Sequence, residues 1–261
     1  EKGSKISVGT VCKTCVDYER RGLVAPNHTM THVLNYALRT VLVDEGLAAN
    51  PAAVQANVDQ KGSLVDEDKF RFDFSWNSGL KADQLARVEQ LVNAQVKAEL
   101  PVYAEVVPLA AAQEIQSLRC VFGERYPDPV RVISVGHDVQ VLLADPKNDK
   151  WSGNSVEFCG GTHLTNTKQA ELFVIVEEAG IAKGIRRITA YTKRAAQMAK
   201  SLAMELSTSM TKLEGLEVGK ELNAGVKVVS VKVDGSQISV VDKAELKTRL
   251  SKLTDKLKAW Q

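Results

Sequence analysis

The histidines place the strongest constraint on how this 261-residue chain folds. Three of its four histidines lie in two short motifs, HTMTH at 28–32 and CGGTH at 159–163. Residues four apart on a helix project from one face, so His28 and His32 can bind one ligand together. In the second motif, two glycines permit a turn tight enough for a cysteine and a histidine to meet. A shared site would bring two distant segments of the chain into contact.

The residue types in the two motifs indicate a metal site. Zn²⁺ accepts both thiolate sulfur and imidazole nitrogen, so one cysteine with three histidines is a suitable ligand set. The first motif alone would carry little weight, since a solvated histidine pair often arises by chance. The apolar stripe of the predicted helix lies on its far side, however, and Asn35 and Arg39 lie beside the histidines. We therefore predict one zinc ion bound by four residues: His28, His32, Cys159 and His163.

Several other sites are excluded by their missing residues. No glutamate follows His28, so the zinc-protease motif HExxH is absent, and the chain has neither the zinc-deaminase signature nor a phosphate-binding P-loop. Cys12 and Cys15 form a CxxC pair, but Cys120 and His137 are isolated and do not complete a second metal site. We interpret the CxxC pair as structural or incidental.

The composition is that of a globular chain with a substantial core, at 44% hydrophobic and 25% charged residues. The best apolar stretch, at 172–176, is far shorter than the roughly 20 residues that cross a bilayer, which argues against a membrane protein. Four cysteines are too few for a disulfide scaffold in a chain this long. We therefore expect a reducing, cytosol-like compartment.

The net charge of +2 hides an asymmetry along the chain. Residues 1–182 hold 18 Lys and Arg against 24 Asp and Glu, whereas residues 183–261 hold 16 against 8. A basic C-terminal third favours a polyanion such as RNA as a partner. Lysine-rich helices also keep proteins soluble, so the charge alone leaves both interpretations open.

Hydrophobic periodicity predicts an α+β fold, a mixed sheet with packed helices. Asn27 is a suitable N-cap for a helix to about residue 43, and the alternating Phe70, Phe72 and Phe74 predict a half-buried strand. Asp234-Gly235 indicates either a hairpin turn or a connection between helices. Further strands are expected at 102–107, 130–135, 139–143, 155–159, 172–177 and 185–191, helices at 82–100, 108–118, 193–216 and 243–260, and an insertion or loop at 44–58.

Four separated blocks of sequence resemble, in the same order, the editing domain of alanyl-tRNA synthetase. The resemblance covers roughly residues 20–192, and the sequence at 126–132 and 172–176 is similar to that of the family's eukaryotic branch. The basic C-terminal helices resemble, less sharply, the segment that follows this domain. The blocks are NHTMTH at 27–32, DQKGSLV at 59–65 with RFDF at 71–74, SVEFCGGTHL at 155–164 and IAKGIRRI at 181–188.

This resemblance implies that residues 27–192 form a zinc-dependent editing domain, between a remnant β element at 1–26 and a basic helical segment at 193–261. The implied reaction is hydrolysis of the ester that joins a wrong serine or glycine to the alanine tRNA. The site that attaches alanine cannot strongly exclude glycine, whose side chain is smaller, or serine, which adds one hydroxyl. A second site must therefore hydrolyse the mischarged products. The family's zinc ligands correspond to His28, His32, Cys159 and His163, and its polar editing-site glutamine to Gln60.

The implied partners are mischarged tRNA(Ala) and the remainder of a longer synthetase chain, in the cytoplasm or in mitochondria. The regions for amino-acid activation and anticodon handling are absent, so we expect an excised fragment of a synthetase. Two alternatives remain open. One is a freestanding editing protein of the AlaX type, and the other is a non-catalytic tRNA-binding module whose zinc only stabilises the fold.

Ester hydrolysis requires an activated water and groups that stabilise the developing oxyanion. Candidate groups are the backbone N–H groups of Gly160 and Gly161 and the hydroxyls of Thr29 and Thr162. Gln60 and Thr29 are expected to retain serine while alanine leaves. Four protein ligands would fill a tetrahedral zinc shell, as in structural sites. Either one ligand is weak, or the shell expands to five, or the ion positions the terminal ribose while water reacts elsewhere.

Overall fold

The computed structural model describes residues 7–44, 58–121 and 123–260 of the chain. Over these residues the fold is α+β, as predicted, with seven α-helices and two four-stranded sheets instead of one. The predicted insertion at 44–58 lies mostly outside the described residues. The helices are α1 (Tyr18–Arg39), α2 (Ala82–Lys97), α3 (Leu109–Gln113), α4 (Val139–Ala144), α5 (Lys193–Glu214), α6 (Lys220–Gly235) and α7 (Val240–Trp260). The strands are β1 (Gln60–Val65), β2 (Phe70–Ser75), β3 (Val102–Val107), β4 (Leu118–Arg119), β5 (Val130–Val135), β6 (Val156–Phe158), β7 (Phe173–Ala182) and β8 (Ile185–Thr192).

Helix α1 begins nine residues before the expected N-cap Asn27. Asp17 caps it instead, since its side chain accepts a hydrogen bond from the backbone N–H of Arg20 at 2.9 Å. Pro26 lies inside the helix and is buried, although proline removes one helical hydrogen bond. The predicted β element at 1–26 is therefore wrong over its described part, because residues 7–17 contain no strand and the helix follows.

The first sheet has the strand order β1-β2-β8-β7, with all neighbours antiparallel. The predicted alternation in β2 is confirmed, because Phe70, Phe72 and Phe74 are almost fully buried. These rings pack in one core with the apolar face of α1 and with α2, whose Val88 and Val92 are fully buried. This packing fixes α1 across the sheet and turns its histidine face away from the core.

The second sheet has the order β3-β5-β6-β4, with β4 parallel to β6 and the other pairs antiparallel. Its core includes Val132, Leu142 and Val156. The strand predicted at 139–143 is wrong, because this segment forms α4. Its N-cap Asp138 accepts a hydrogen bond from the N–H of Gln140 at 2.8 Å. The helix predicted at 108–118 ends at Gln113.

The C-terminal segment contains three helices, of which α6 was not predicted. Asp234 and Gly235 end this helix and do not form a hairpin. Apolar residues of α5, α6 and α7 form a core of their own. The bundle is joined to the first sheet through Glu89 of α2, which accepts hydrogen bonds from the hydroxyl of Ser239 at 3.1 Å and from the N–H of Ile175 at 2.8 Å. Among the described helices, none has the length and apolarity that a membrane span requires.

Candidate metal centre and adjoining cavity

The structure brings the four predicted ligands together. His28 and His32 project from one face of α1, while Cys159 directly follows β6 and His163 lies four residues further on. Their donor atoms all lie within 4.8 Å of one another. The Sγ atom of Cys159 is 3.4 Å from Nε2 of His28. This spacing allows the four side chains to bind one metal ion.

Each imidazole is oriented by a contact of its outer nitrogen, Nδ1. That of His28 donates to the backbone carbonyl of Thr162 at 3.2 Å, and that of His32 contacts the carboxylate of Glu157. Nδ1 of His163 lies 3.3 Å from the hydroxyl of Thr29. Metal-binding histidines typically use the second nitrogen in this way, which fixes the ring orientation and the tautomer.

The inner nitrogens complete the case for a metal. Nε2 of His32 and Nε2 of His163 are buried, and neither has a hydrogen-bond partner among the residues that the structure describes. Buried polar atoms without partners are costly, so they indicate a missing ligand. Three imidazoles and one cysteine suit a borderline-soft divalent cation. The donor set, its convergence and these two nitrogens therefore fit a metal ion.

The site also favours the protonation states that metal binding needs at two of its ligands. Burial opposes a charged thiolate, but the three neighbouring imidazoles, of which that of His28 lies within hydrogen-bond distance, lower the pKa of Cys159 to about 3. Burial lowers the pKa of His163 to about 4. For His32, burial would lower the pKa, but the negative Glu157 raises it to about 10. A bound cation would therefore have to displace a proton from His32. The thiolate of Cys159 and the neutral imidazole of His163 are already in the protonation states that bind a metal.

The loop between Cys159 and His163 is shaped to admit the ring of His28. A Cβ atom on Gly161 would lie 2.1 Å from Cε1 of His28, which is impossible without displacing the ring. At Gly160, by contrast, a Cβ atom would meet nothing within 4 Å. Of these two glycines, only the second is thus required by close approach, whereas the first is an exposed residue of the loop beside the site.

Arg131 of β5 holds this loop from the other side. Its guanidinium donates to the carbonyl of Cys159 at 3.1 Å and to that of Gly161 at 2.5 Å. The backbone N–H of Cys159 in turn donates to the carbonyl of Arg131 at 3.2 Å. The N–H of Gly161 points to the cysteine sulfur at 3.5 Å. These contacts place the sulfur and fix the turn.

A cavity of about 380 Å³ opens beside the metal ligands. Its wall includes His28, His32 and Cys159, so a molecule inside it would lie against the ion. Gln60, at the start of β1, also lines the cavity, and its amide Nε2 donates to the hydroxyl of Ser63 at 3.2 Å. The other lining residues are Thr31, Asn35, Arg39, Val58, Asp59, Ser63, Arg119, Cys120, Val121, Glu124, Tyr126, Pro127, Val130, Arg131, Glu157, Phe158 and Gly160.

The predicted catalytic residues separate into two groups. Gln60 and Gly160 line the cavity. Thr29 is fully buried behind the site, where its hydroxyl accepts from the N–H of Leu164 at 3.0 Å and contacts His163. Thr162 is exposed and reaches His28 through its backbone carbonyl, while Gly161 lies under the same ring. These three residues orient the metal ligands.

Glu157 is the functional residue that the sequence analysis missed. It is only 5% exposed, and its carboxylate contacts His32 and accepts from the amide of Asn35 at 2.8 Å. The strand period contained the signal. Val156 and Phe158 face the core, so Glu157 must share the opposite face with Cys159. Arg131 carried no such signal, since its role depends on the fold of a distant loop.

Comparison with known proteins gives consistent matches along the chain. Residues 130–189 match the family described as the threonyl and alanyl tRNA synthetase second additional domain, and residues 196–260 match the alanine–tRNA ligase domain. The chain is 46% identical, over 83% of its length, to the cytoplasmic alanine–tRNA ligase of Dictyostelium discoideum. It is 42% identical over 95% of its length to the mitochondrial alanine–tRNA ligase of Saccharomyces cerevisiae, and 43% identical over 98% of its length to the alanine–tRNA ligase of Candida albicans.

These relatives are much longer proteins. The alignments cover 22%, 24% and 26% of their respective lengths, so the chain corresponds to about a quarter of each. The matched relatives include proteins named as cytoplasmic and as mitochondrial. The predicted eukaryotic-type resemblance is confirmed by these matches.

Proposed function

Because this chain belongs to the alanine–tRNA ligase family over the region just compared, we propose that it hydrolyses the ester of tRNA(Ala) mischarged with serine or glycine. In this proposal the chain works as the editing part of a longer synthetase, and the tRNA is also bound by the rest of that protein. In this proposal, hydrolysis takes place at the site between the middle of α1 and the C-terminal end of β6.

One observation carries the proposal, namely that the cavity and the metal ligands share a wall. Ligand sites in proteins typically have volumes of roughly 300–1,000 Å³, and this cavity has about 380 Å³. A buried structural metal would need no such space beside it. The cavity is large enough for an amino acid on its terminal ribose. Three of the four candidate metal ligands line its wall: His28, His32 and Cys159.

We propose zinc as the metal. When bound, zinc would polarise the ester carbonyl and promote ionisation of a water molecule. The protein's own part is to hold its ligands in place, through Glu157 on His32, Thr29 on His163 and the carbonyl of Thr162 on His28. The backbone N–H of Gly160, an exposed residue in the cavity wall, is proposed to stabilise the developing oxyanion.

Gln60 is proposed to distinguish serine from alanine. Its side chain lines the cavity and is oriented by Ser63, so its amide can hydrogen-bond the serine hydroxyl. Alanine offers no hydroxyl, so the amide would keep its hydrogen bond to Ser63 but lose the one that it makes to serine. Glycine also lacks the hydroxyl, so its hydrolysis depends on the metal and the ester alone.

The test is deacylation of Ser-tRNA(Ala), Gly-tRNA(Ala) and Ala-tRNA(Ala) by the purified chain without ATP. We expect the first two to be hydrolysed faster than the third, and Cys159→Ala to abolish hydrolysis together with metal binding. Four protein ligands also match a closed structural shell, which favours a second function, a zinc-stabilised tRNA-binding module. Tight binding of uncharged tRNA with no hydrolysis of any ester would establish that second function and refute editing.

A further inference from the structure

A second, smaller hollow of about 100 Å³ lies behind the main cavity. Its wall is formed by the C-terminal end of α1, by the segment entering β4 and by the segment entering β6. Arg39, Arg119 and Glu157 line both spaces, so the hollow and the cavity are neighbours. A ligand with groups in both spaces would contact these three side chains.

The hollow is built from groups that bind anions. Two arginines, Arg39 and Arg119, contribute positive charge, and the hydroxyl-bearing residues Thr40, Ser117 and Ser155 complete much of the wall. Arginine guanidinium groups match the geometry of phosphate oxygens, and hydroxyls donate to them. The π-helical turn that follows Arg39, at Thr40–Asp44, is a distortion of the kind that often occurs at functional sites.

Ser117 gives an independent indication of a ligand. The residue is 8% exposed, and its Oγ atom has no hydrogen-bond partner in the described part of the chain. A buried hydroxyl without a partner is costly in free energy, so a bound acceptor would stabilise it. A phosphate oxygen is such an acceptor.

Among the described residues that line the hollow, Glu157 carries the only acidic side chain. Its two oxygens are already engaged, one by the amide of Asn35 and the other by the imidazole of His32. The carboxylate thus contacts a candidate metal ligand, and a metal ion bound there would add positive charge beside it. An anion in the hollow would face the arginines.

We infer that this hollow binds the phosphodiester group that precedes the terminal adenosine of the RNA, while the esterified ribose occupies the main cavity. The inference rests on the proposed function, because it takes the 3′ end of an aminoacylated RNA as the ligand. Arg119 and Arg39 would bind the phosphate oxygens, and Ser117 would donate a hydrogen bond. The subsite would set how far the RNA end enters and thereby place the ester beside the metal.

The test measures binding, not hydrolysis, with the full metal-loaded chain. The probes are the dinucleotide cytidylyl-adenosine with its natural phosphodiester and the same dinucleotide with a neutral methylphosphonate linkage. We expect the neutral linkage to weaken binding to the wild-type chain roughly tenfold, as expected for the loss of a charge-assisted contact. In Arg119→Gln the difference between the two probes should shrink, because Arg39 and Ser117 alone remain to bind the phosphate, and the matched control Arg87→Gln, on the exposed face of α2, should retain the full difference.

Equal binding of the two probes to the wild-type chain would overturn the subsite, as would an undiminished preference in Arg119→Gln. Arg39→Gln provides a second variant if Arg119→Gln loses its metal. Because this assay measures binding and cleaves no ester, it can refute the phosphate subsite without refuting the editing function. A chain that discriminates the two linkages but does not hydrolyse Ser-tRNA(Ala) would retain the phosphate subsite and lose the editing function.

Discussion

His32 and Glu157 form a buried pair in which the imidazole Nδ1 contacts the carboxylate while Nε2 faces the other metal ligands. The residues lie on α1 and β6, which belong to different layers of the fold. Asn35, one turn after His32, holds the second carboxylate oxygen. The pair therefore connects the position of a metal ligand to the packing of helix against sheet.

Replacing Glu157 with glutamine should weaken metal binding about tenfold to a hundredfold, as for other contacts that orient metal-binding histidines. The variant keeps the size of the side chain but removes the negative charge that makes His32 a stronger ligand. Competition with a coloured zinc chelator measures the change, with Glu105→Gln on β3 as a control. An unchanged affinity for zinc in Glu157→Gln would show that the carboxylate does not support the site.

The two glycines of the second motif should respond differently to alanine. Gly161→Ala would place a methyl group against His28, so we expect loss of most bound metal. Gly160→Ala meets no neighbouring atom and should retain it. Elemental analysis of the two purified variants makes the comparison. Equal metal content would mean that the loop can shift and that the close approach to His28 is not required.

The sequence predicted those parts of the molecule in which local pattern and tertiary packing agree. The alternating phenylalanines of β2 and the helical spacing of the histidines are such cases, because one face of each element must be buried. The ligand set could be predicted because histidine is rare in this chain and the motifs are compact. Glu157 was missed since its role appears only when β6 packs beside α1.

The errors have local causes. Val139 and Val141 favour a strand by their β-branched side chains, but the cap at Asp138 and the burial of Val139 and Leu142 on one face favour the helix α4. Pro26 suggested a helix boundary, whereas the helix continues through it from Asp17. The main cavity could not be predicted, because its wall combines residues from α1, β1 and the segments around β4, β5 and β6.

Glu89 should make a contribution to the stability of the chain that increases as the pH falls through its raised folded-state pKa. Burial raises its pKa in the folded state, and protonation therefore favours folding as the pH drops through that value. Urea unfolding at several pH values, for the wild type and for Glu89→Gln, measures the effect. The wild type should gain stability relative to this variant at lower pH, whereas the exposed control Glu205→Gln should follow the wild type. A relative loss at lower pH would reverse the assignment.

The basic helices are expected to contribute salt-sensitive RNA binding. They cannot simply be removed as a test, because residues of α5 pack against the first sheet and Ser239 contacts Glu89. We therefore choose the exposed Lys252 and Lys256 of α7 for replacement with glutamine.

The double variant should bind tRNA more weakly, and the dependence of log affinity on log salt should become shallower by up to about 2, roughly 0.9 for each lost phosphate contact in a duplex. Replacement of Lys97 and Lys147, which are exposed outside the bundle, is the control. If affinity and salt dependence stay as in the wild type, these two lysines only keep the helix soluble.

Gln60→Leu should reduce the preference for Ser-tRNA(Ala) over Ala-tRNA(Ala) while zinc content remains unchanged. The wild-type amide, oriented by Ser63, loses a partner when alanine enters, at a cost of about 1–3 kcal/mol, which is roughly tenfold to a hundredfold in rate. Hydrolysis of Gly-tRNA(Ala) should change little, since glycine has no hydroxyl to read. The exposed Gln90→Leu on α2 controls for loss of a surface amide. Thr29→Val should behave in the opposite way, because its hydroxyl contacts His163 behind the site, and should lower zinc content with no specific effect on selectivity. Full selectivity in Gln60→Leu would assign recognition of the serine hydroxyl to another residue of the cavity wall.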